Sequence, residues 1–278
     1  MLETDGGCIM LLQVNQLQVT YRQIGHPPLH AVQGISFELD AGQSLGIVGE
    51  SGCGKSSAAK AIIGLQSSFG GEIRFEGKSV HEMNRAERIQ YRRSVQMVFQ
   101  DAVGSLNPHM TVRQTLEEVL RVHRMVPSGQ IPKRISELLE LVSLPERVLA
   151  AYPREISGGQ CQRVSFARCL ALNPRVILAD EPVSALDVSV QARILNLLRT
   201  LQKELNLAIL LISHDLAVVR TICDRVCVMH KGRFVETGMT TAVLETPQND
   251  YTKSLLSAVP DVNRALGSTA TRSTASEE

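Results

Sequence analysis

Nine short stretches of the chain concentrate Val, Ile and Leu, and they fall into two patterns. LLQVNQLQVTY (11–21) and GISFEL (34–39) near the start, and DRVCVMH (224–230) and GRFVETG (232–238) near the end, alternate apolar with polar positions. That is the pattern of half-exposed antiparallel strands. RVILAD (175–180) and LAILLIS (207–213) are almost continuously apolar, as strands covered on both faces are. SLGIVG (44–49), GEIRFEG (71–77) and SVQMVFQ (94–100) complete the set of predicted strands. A period of 3–4 residues predicts helices over 55–65, 113–123, 132–142, 159–172, 190–205 and 216–223. Between about 101 and 166 only helices are predicted, which implies a helical insertion into an α/β sheet.

One junction between a strand and a helix is chemically loaded. GESGCGKSS (49–57) follows the apolar run SLGIVG and precedes a predicted helix. It fits G-x-x-x-x-G-K-[ST] with Gly49, Gly54, Lys55 and Ser56. Glycine lets the backbone N–H groups of Gly49, Glu50, Ser51, Gly52, Cys53, Gly54, Lys55, Ser56 and Ser57 curl around phosphates, and the helix N-terminus adds a field that favours anions. Lys55 then neutralises the β- and γ-phosphates, and Ser56 offers a hydroxyl to Mg²⁺. The alternative is an ordinary Gly-rich turn. VILADE (176–181) supplies a second element, because its strand delivers Asp180 at the carboxyl end, beside the loop in a parallel sheet. Asp180 is placed to hold the Mg²⁺ shell, and Glu181 to polarise a water for attack on the γ-phosphate. Two N-capping acids ahead of a helix are the plainer reading of that pair.

Composition narrows the class. The 278 residues suffice for one large α/β domain or two small ones, and a formal charge of +1 lacks the basic excess of a general nucleic-acid binder. The six cysteines form no C-x-x-C and read as reduced thiols, with a zinc or iron–sulfur site as the alternative. No apolar run approaches the ~20 residues needed to span a bilayer, and the first residues, MLETDGGCIMLL, lack the basic and long apolar regions of a signal peptide. The chain is expected to be cytoplasmic. The small polar end, NRALGSTATRSTASEE (263–278), is expected to be disordered.

ISGGQCQR (156–163) decides among nucleotide-binding families, because here the sequence resembles the ATP-binding cassette ATPases of ABC transporters, with Ile156 in place of the usual Leu. Gln160 precedes Asp180 by 180 − 160 = 20 residues, the spacing that the family shows. The resemblance implies that Ser157, Gly158, Gly159 and Gln160 face the γ-phosphate bound on the other subunit of a head-to-tail dimer, although alone the pentapeptide also reads as a helix cap. It further implies that Tyr21 stacks on adenine and that Gln100 touches Mg²⁺ and water and senses the membrane subunit. The resemblance also implies that Ser184, Ala185, Leu186 and Asp187 form a dimer-contact loop and that His214 contacts the γ-phosphate. The implied fold is a P-loop NTPase core sheet with an antiparallel β subdomain and an inserted helical subdomain: an ATPase domain over 11–245, with 101–166 inserted, and a family segment over 246–262.

FQDAVGSLNPHMTV (99–112), DEPVSALDVSVQARIL (180–195) and DYTKSLLSAVP (250–260) are similar to the oligopeptide, dipeptide and nickel importers, and NRAERIQYRRSVQMVFQD (84–101) to the nickel-importer ATPases. Peptide is the expected cargo and nickel or a metal chelate the alternative. The implied partners are a second ATPase subunit, of this or another sequence, two transmembrane permeases and an extracytoplasmic solute-binding protein, with the ATPase bound peripherally on the cytoplasmic face of the membrane. No Cys follows Cys227, so the C-terminal iron–sulfur cluster of some relatives is not expected. A soluble ABC protein acting on ribosomes or DNA is a rival reading. It usually carries two cassettes or a long coiled-coil insertion. A catalytically dead cassette would need a damaged Lys, Glu, His or signature.

Overall fold

The computed structural model describes residues 10–257 apart from 23, 24, 26, 67, 68 and 185. In chain order the strands are β1 (Leu12–Tyr21), β2 (Leu29–Leu39), β3 (Ser44–Val48), β4 (Phe69–Phe75), β5 (Lys78–Ser79), β6 (Val95–Val98), β7 (Val176–Asp180), β8 (Ala208–Ser213), β9 (Arg225–His230) and β10 (Arg233–Met239). The helices are α1 (Lys55–Ile62), α2 (Arg85–Ser94), α3 (Val112–Val122), α4 (Ile131–Leu141), α5 (Gly158–Leu170), α6 (Val188–Leu205), α7 (Leu216–Ile222), α8 (Thr240–Glu245) and α9 (Asp250–Ser257). Short 3₁₀ turns link several of them.

The strands form two sheets. The larger has the order β10-β9-β3-β8-β7-β6, parallel except for β10, which runs antiparallel to β9. The smaller has the order β2-β1-β4-β5 and is wholly antiparallel. The N-terminal strands therefore build a sheet of their own, and the antiparallel edge of the core sheet is β10.

Burial explains the continuous apolar runs. Along β7, Val176 and Leu178 join a core shared with β1, β2 and α1, while Ile177 and Ala179 join a core built with α3 to α7. On β8, Ala208, Leu210 and Ile212 face the first core and Ile209 and Leu211 the second. Both faces are covered, so neither strand has a polar side. The alternation expected of 224–230 does not hold, because Val226, Cys227, Val228 and Met229 are all buried. β9 lies inside the sheet, parallel to β3 on one edge and antiparallel to β10 on the other.

Between β6 and β7 the described residues hold α3, α4, α5 and 3₁₀ turns, with no strand. Capping boxes start α3 (Thr111 with Gln114) and α5 (Ser157 with Gln160). α6 ends where Asn206 turns into the left-handed region at φ +50°. The expected tail, 263–278, lies outside the described residues.

Candidate nucleotide site

The loop that leaves β3 needs glycine at two points for steric reasons. A Cβ on Gly49, at φ +154°, would sit 2.1 Å from the Met229 carbonyl oxygen. One on Gly54, at φ +113° and the N-cap of α1, would sit 2.1 Å from the Ala31 carbonyl oxygen. The Lys55 side chain folds into this ring. Its Nζ donates to the carbonyls of Gly49 (2.7 Å) and Glu50 (2.8 Å), and the residue is only 5% exposed. Cys53 Sγ lies 3.8 Å from the same ammonium, and burial raises that thiol above its usual range. A buried cation ringed by backbone is matched to a phosphate anion.

Asp180 ends β7, but β8 separates β7 from β3. The expected neighbourhood is reached by a side chain across β8, with Ser56 Oγ donating to Asp180 Oδ1 at 3.2 Å. Asp180 is 7% exposed, and its burial holds the carboxyl above the ordinary range. Ser56 and Lys55 pull it back down, and Glu181 pushes it up. A carboxyl with a raised folded-state pKa favours folding at low pH, and that contribution is lost as pH rises through the folded value. Ionising Asp180 therefore costs stability as pH rises. Asp180→Asn is expected to raise the melting temperature at neutral pH while lowering ATP turnover at least about a hundredfold. A lower melting temperature would show that the charge is a net structural partner.

Glu181 turns the chain sharply. Its φ is +46°, unusual for a residue with a side chain. Glu181 N–H donates to the Ile212 carbonyl on β8 at 2.9 Å, which fixes the turn. Its carboxylate is held at both oxygens, with His214 Nδ1 3.1 Å from Oε1 and Gln100 Nε2 donating to Oε2 at 2.9 Å. Gln100 Nε2 also reaches Ser184 Oγ at 3.4 Å, and Ser184 Oγ donates to the Glu181 carbonyl at 3.1 Å. Three of the predicted residues thus meet at one carboxylate. With Nδ1–H donated to Glu181, a neutral His214 presents an acceptor at Nε2, so a bond to a phosphate oxygen requires the second proton as well.

Tyr21 closes β1, and its hydroxyl donates to Ser57 Oγ, 3.2 Å away on the first turn of α1. Its ring is thereby tied to the end of the phosphate loop. Tyr21→Phe tests the tie and Tyr21→Ala the ring. Tyr21→Ala is expected to raise the KM for ATP about tenfold with kcat nearly intact, because stacking is equal in ground and transition states. Tyr21→Phe is expected to stay close to the parent. A loss confined to kcat would remove Tyr21 from the nucleotide site.

The signature segment starts α5 with a cap of its own. Ser157 and Gly158 are exposed, but the Ser157 hydroxyl is already engaged, accepting Gln160 N–H at 3.3 Å, while Gln160 Oε1 accepts Ser157 N–H at 2.9 Å. Gly159 is buried, and a Cβ there would sit 2.4 Å from Val190 Cγ1. Its lack of a side chain serves the packing of α5 on α6. Leu186 borders Gly158, and Asp187 caps α6 by accepting Val190 N–H at 2.9 Å. That bond leads the causes that lower the Asp187 carboxyl. Ala185 lies outside the described residues.

Comparison with known proteins bears on this arrangement. The family model described as ABC transporter matches residues 32–184. The oligopeptide transport ATP-binding protein OppF of Lactococcus lactis subsp. lactis is 46% identical over 233 residues, covering 84% of this chain and 73% of that protein. The chain belongs to the ABC transporter family. The OppF of Salmonella typhimurium is 45% identical over 260 residues, 90% of this chain and 78% of its own length. The glutathione import ATP-binding protein GsiA of Pectobacterium atrosepticum is 48% identical, but the match covers only 37% of its length. Among solved structures, a dimeric ATP-binding cassette in a post-hydrolysis state with ADP and Pi superposes with a TM-score of 0.73 at 28% identity, covering 83% of this chain and 99% of its own. The cbiO1 protein of Clostridium perfringens gives 0.75 at 27%, covering 93% and 99%.

This ABC ATPase hydrolyses ATP, and its site contains contacts that sequence reasoning did not reach. The Ile212 carbonyl that sets the Glu181 turn carries no side-chain signal. Tyr251, whose hydroxyl accepts Glu50 N–H at 3.2 Å, stands in DYTKSLLSAVP, a segment read only for its resemblance.

Proposed function

We propose that this chain energises oligopeptide or dipeptide import, as a peripheral subunit on the cytoplasmic face of the cytoplasmic membrane. It works beside a second ATPase subunit, two permeases and an extracytoplasmic solute-binding protein. The observation that carries the hydrolytic part is the meeting of His214, Gln100 and Glu181 beside Asp180, Ser56 and Lys55. The names of the relatives support the cargo. Among the described residues no helix is long and apolar enough to cross a membrane, which suits a subunit that docks on permeases.

Lys55 holds the β- and γ-phosphates, and the loop N–H groups surround them. Glu181, oriented by Gln100 and His214, retains lone pairs that accept a proton from a water lined up on the γ-phosphate. His214 adds a second contact near the departing phosphoryl group. Among the described residues no group of three His, Cys, Asp or Glu side chains is arranged for a metal. Ser56 Oγ, Asp180 and Gln100 Oε1 are nevertheless an all-oxygen set suited to Mg²⁺, which takes few protein ligands and completes its shell with waters and phosphates. Ser56 gives its proton to Asp180, so its oxygen lone pairs remain for the ion. Bound Mg²⁺ supplies charge neutralisation on the phosphates.

Nickel or a metal chelate is the alternative cargo, supported by the resemblance of 84–101. Uptake of a labelled tripeptide and of labelled nickel should be compared in cells with the intact transporter and in cells where this chain carries Lys55→Ala. Peptide uptake is expected to fall to background with nickel unaffected, and the opposite pattern would reverse the cargo assignment.

A further inference from the structure

The phosphate loop is also held from outside by the C-terminal helix. Glu50 N–H donates to the Tyr251 hydroxyl at 3.2 Å, and the Tyr251 ring stacks on His230 with centroids 4.0 Å apart and planes 13° from parallel. His230 ends β9, whose neighbouring backbone meets the same loop. Met229 O crowds Gly49, and Gly232 N–H donates to the Cys53 carbonyl at 2.9 Å. Tyr251 is itself fixed. Its N–H donates to Asn249 Oδ1 at 2.9 Å, and Glu236 on β10 accepts Gln248 N–H at 2.8 Å and Asn249 N–H at 3.2 Å. Tyr251, Leu255 and Leu256 pack against the core. Burial raises the Tyr251 phenol above its usual range.

The two ends of one peptide unit connect this helix to Lys55. In a trans peptide the carbonyl of Gly49 and the N–H of Glu50 point in opposite directions. Tyr251 holds the N–H end, and Lys55 Nζ is seated on the carbonyl end at 2.7 Å. The ammonium has three donors. Two are engaged by Gly49 and Glu50, and among the described residues the third meets the Cys53 sulfur at 3.8 Å, a weak acceptor that a phosphate oxygen outcompetes.

We propose that Tyr251 is a positioning residue for Lys55, acting through the Gly49–Glu50 peptide, so that the C-terminal helix tunes the affinity of the loop for ATP. This rests on the reading of Lys55 as the phosphate ligand. Tyr251→Phe keeps the stack on His230 and removes only the acceptor for Glu50 N–H.

The test is a double-mutant cycle in the full chain, with the Kd for MgATP measured well below the melting temperature. Tyr251→Phe is expected to raise Kd about fivefold, the worth of one ordinary hydrogen bond. In a Lys55→Ala background the same change is expected to have no further effect, because there is no ammonium left to position. Parental affinity in Tyr251→Phe, or an equal loss in both backgrounds, would overturn the proposal and leave the phosphate reading standing. Parental affinity in Lys55→Ala itself would remove both.

Discussion

Glu181→Gln is expected to bind ATP as the parent does and to hydrolyse it about 100- to 10,000-fold more slowly. The amide keeps the shape of the carboxylate but cannot take a proton from water. The surroundings add a second consequence. Both Glu181 oxygens accept bonds, one facing His214 and the other facing Gln100. An amide offers one acceptor and one donor, so one of those neighbours meets a donor. Gln100 can answer by turning its own amide over, whereas His214 would have to change tautomer. The variant should therefore settle with its oxygen toward His214 and its nitrogen toward a flipped Gln100. ATP should persist unhydrolysed, and the assembled transporter should accumulate as a closed ATPase dimer. Single-turnover hydrolysis checks the rate, and turnover within a few-fold of the parent would show that another group activates the water.

Ser157→Arg is expected to lower hydrolysis at the partner's phosphate loop by about a hundredfold or more, the scale of losing a group that stabilises transferring charge. Among the described residues no hydrogen bond joins 157–160 to 49–57, and Ser157 and Gly158 are exposed. A signature that serves a nucleotide on another chain should look this way. Ser157 also caps α5, so losing it costs about 1 kcal/mol of helix stability. Ser157→Asp separates the two roles, because Asp is an equally good cap and yet sets a carboxylate where a phosphate belongs. Both variants should fail at the partner's site, with the Asp variant keeping its fold. Photo-crosslinked nucleotide, trapped on each chain separately, reads the outcome. Loss confined to the chain that carries the substitution would remove the composite site.

Much of this is written in short-range pattern. The runs around β3, β7 and β8 announce buried strands because both of their faces meet a core, and the glycines of 49–54 announce a loop because a Cβ at Gly49 or Gly54 would strike backbone. α2 escaped because only Tyr91 and Ser94 are buried among its ten residues, which leaves no apolar stripe. Its legible signal was the capping box of Asn84 and Glu87. α9 buries only Thr252 fully, and Tyr251 matters through a contact 201 residues away in sequence. The left-handed turn at Glu181 and the grip of Gln100 and His214 depend on the order β8-β7-β6, which no local pattern encodes. At Gly159 the sequence carries an anion-binding reading, and the structure adds a packing demand, because a Cβ there would strike Val190 on α6.

The central claim is that the site around Lys55 and Glu181 spends ATP on moving peptide. It is tested most directly by ATP hydrolysis in a transporter reconstituted from this chain and the proposed partners, a second ATPase subunit of this or another sequence, the permeases and the solute-binding protein, titrated with an oligopeptide. Hydrolysis is predicted to rise with the peptide-loaded binding protein and to vanish in Lys55→Ala. Hydrolysis that ignores peptide, or that survives Lys55→Ala, would contradict the account.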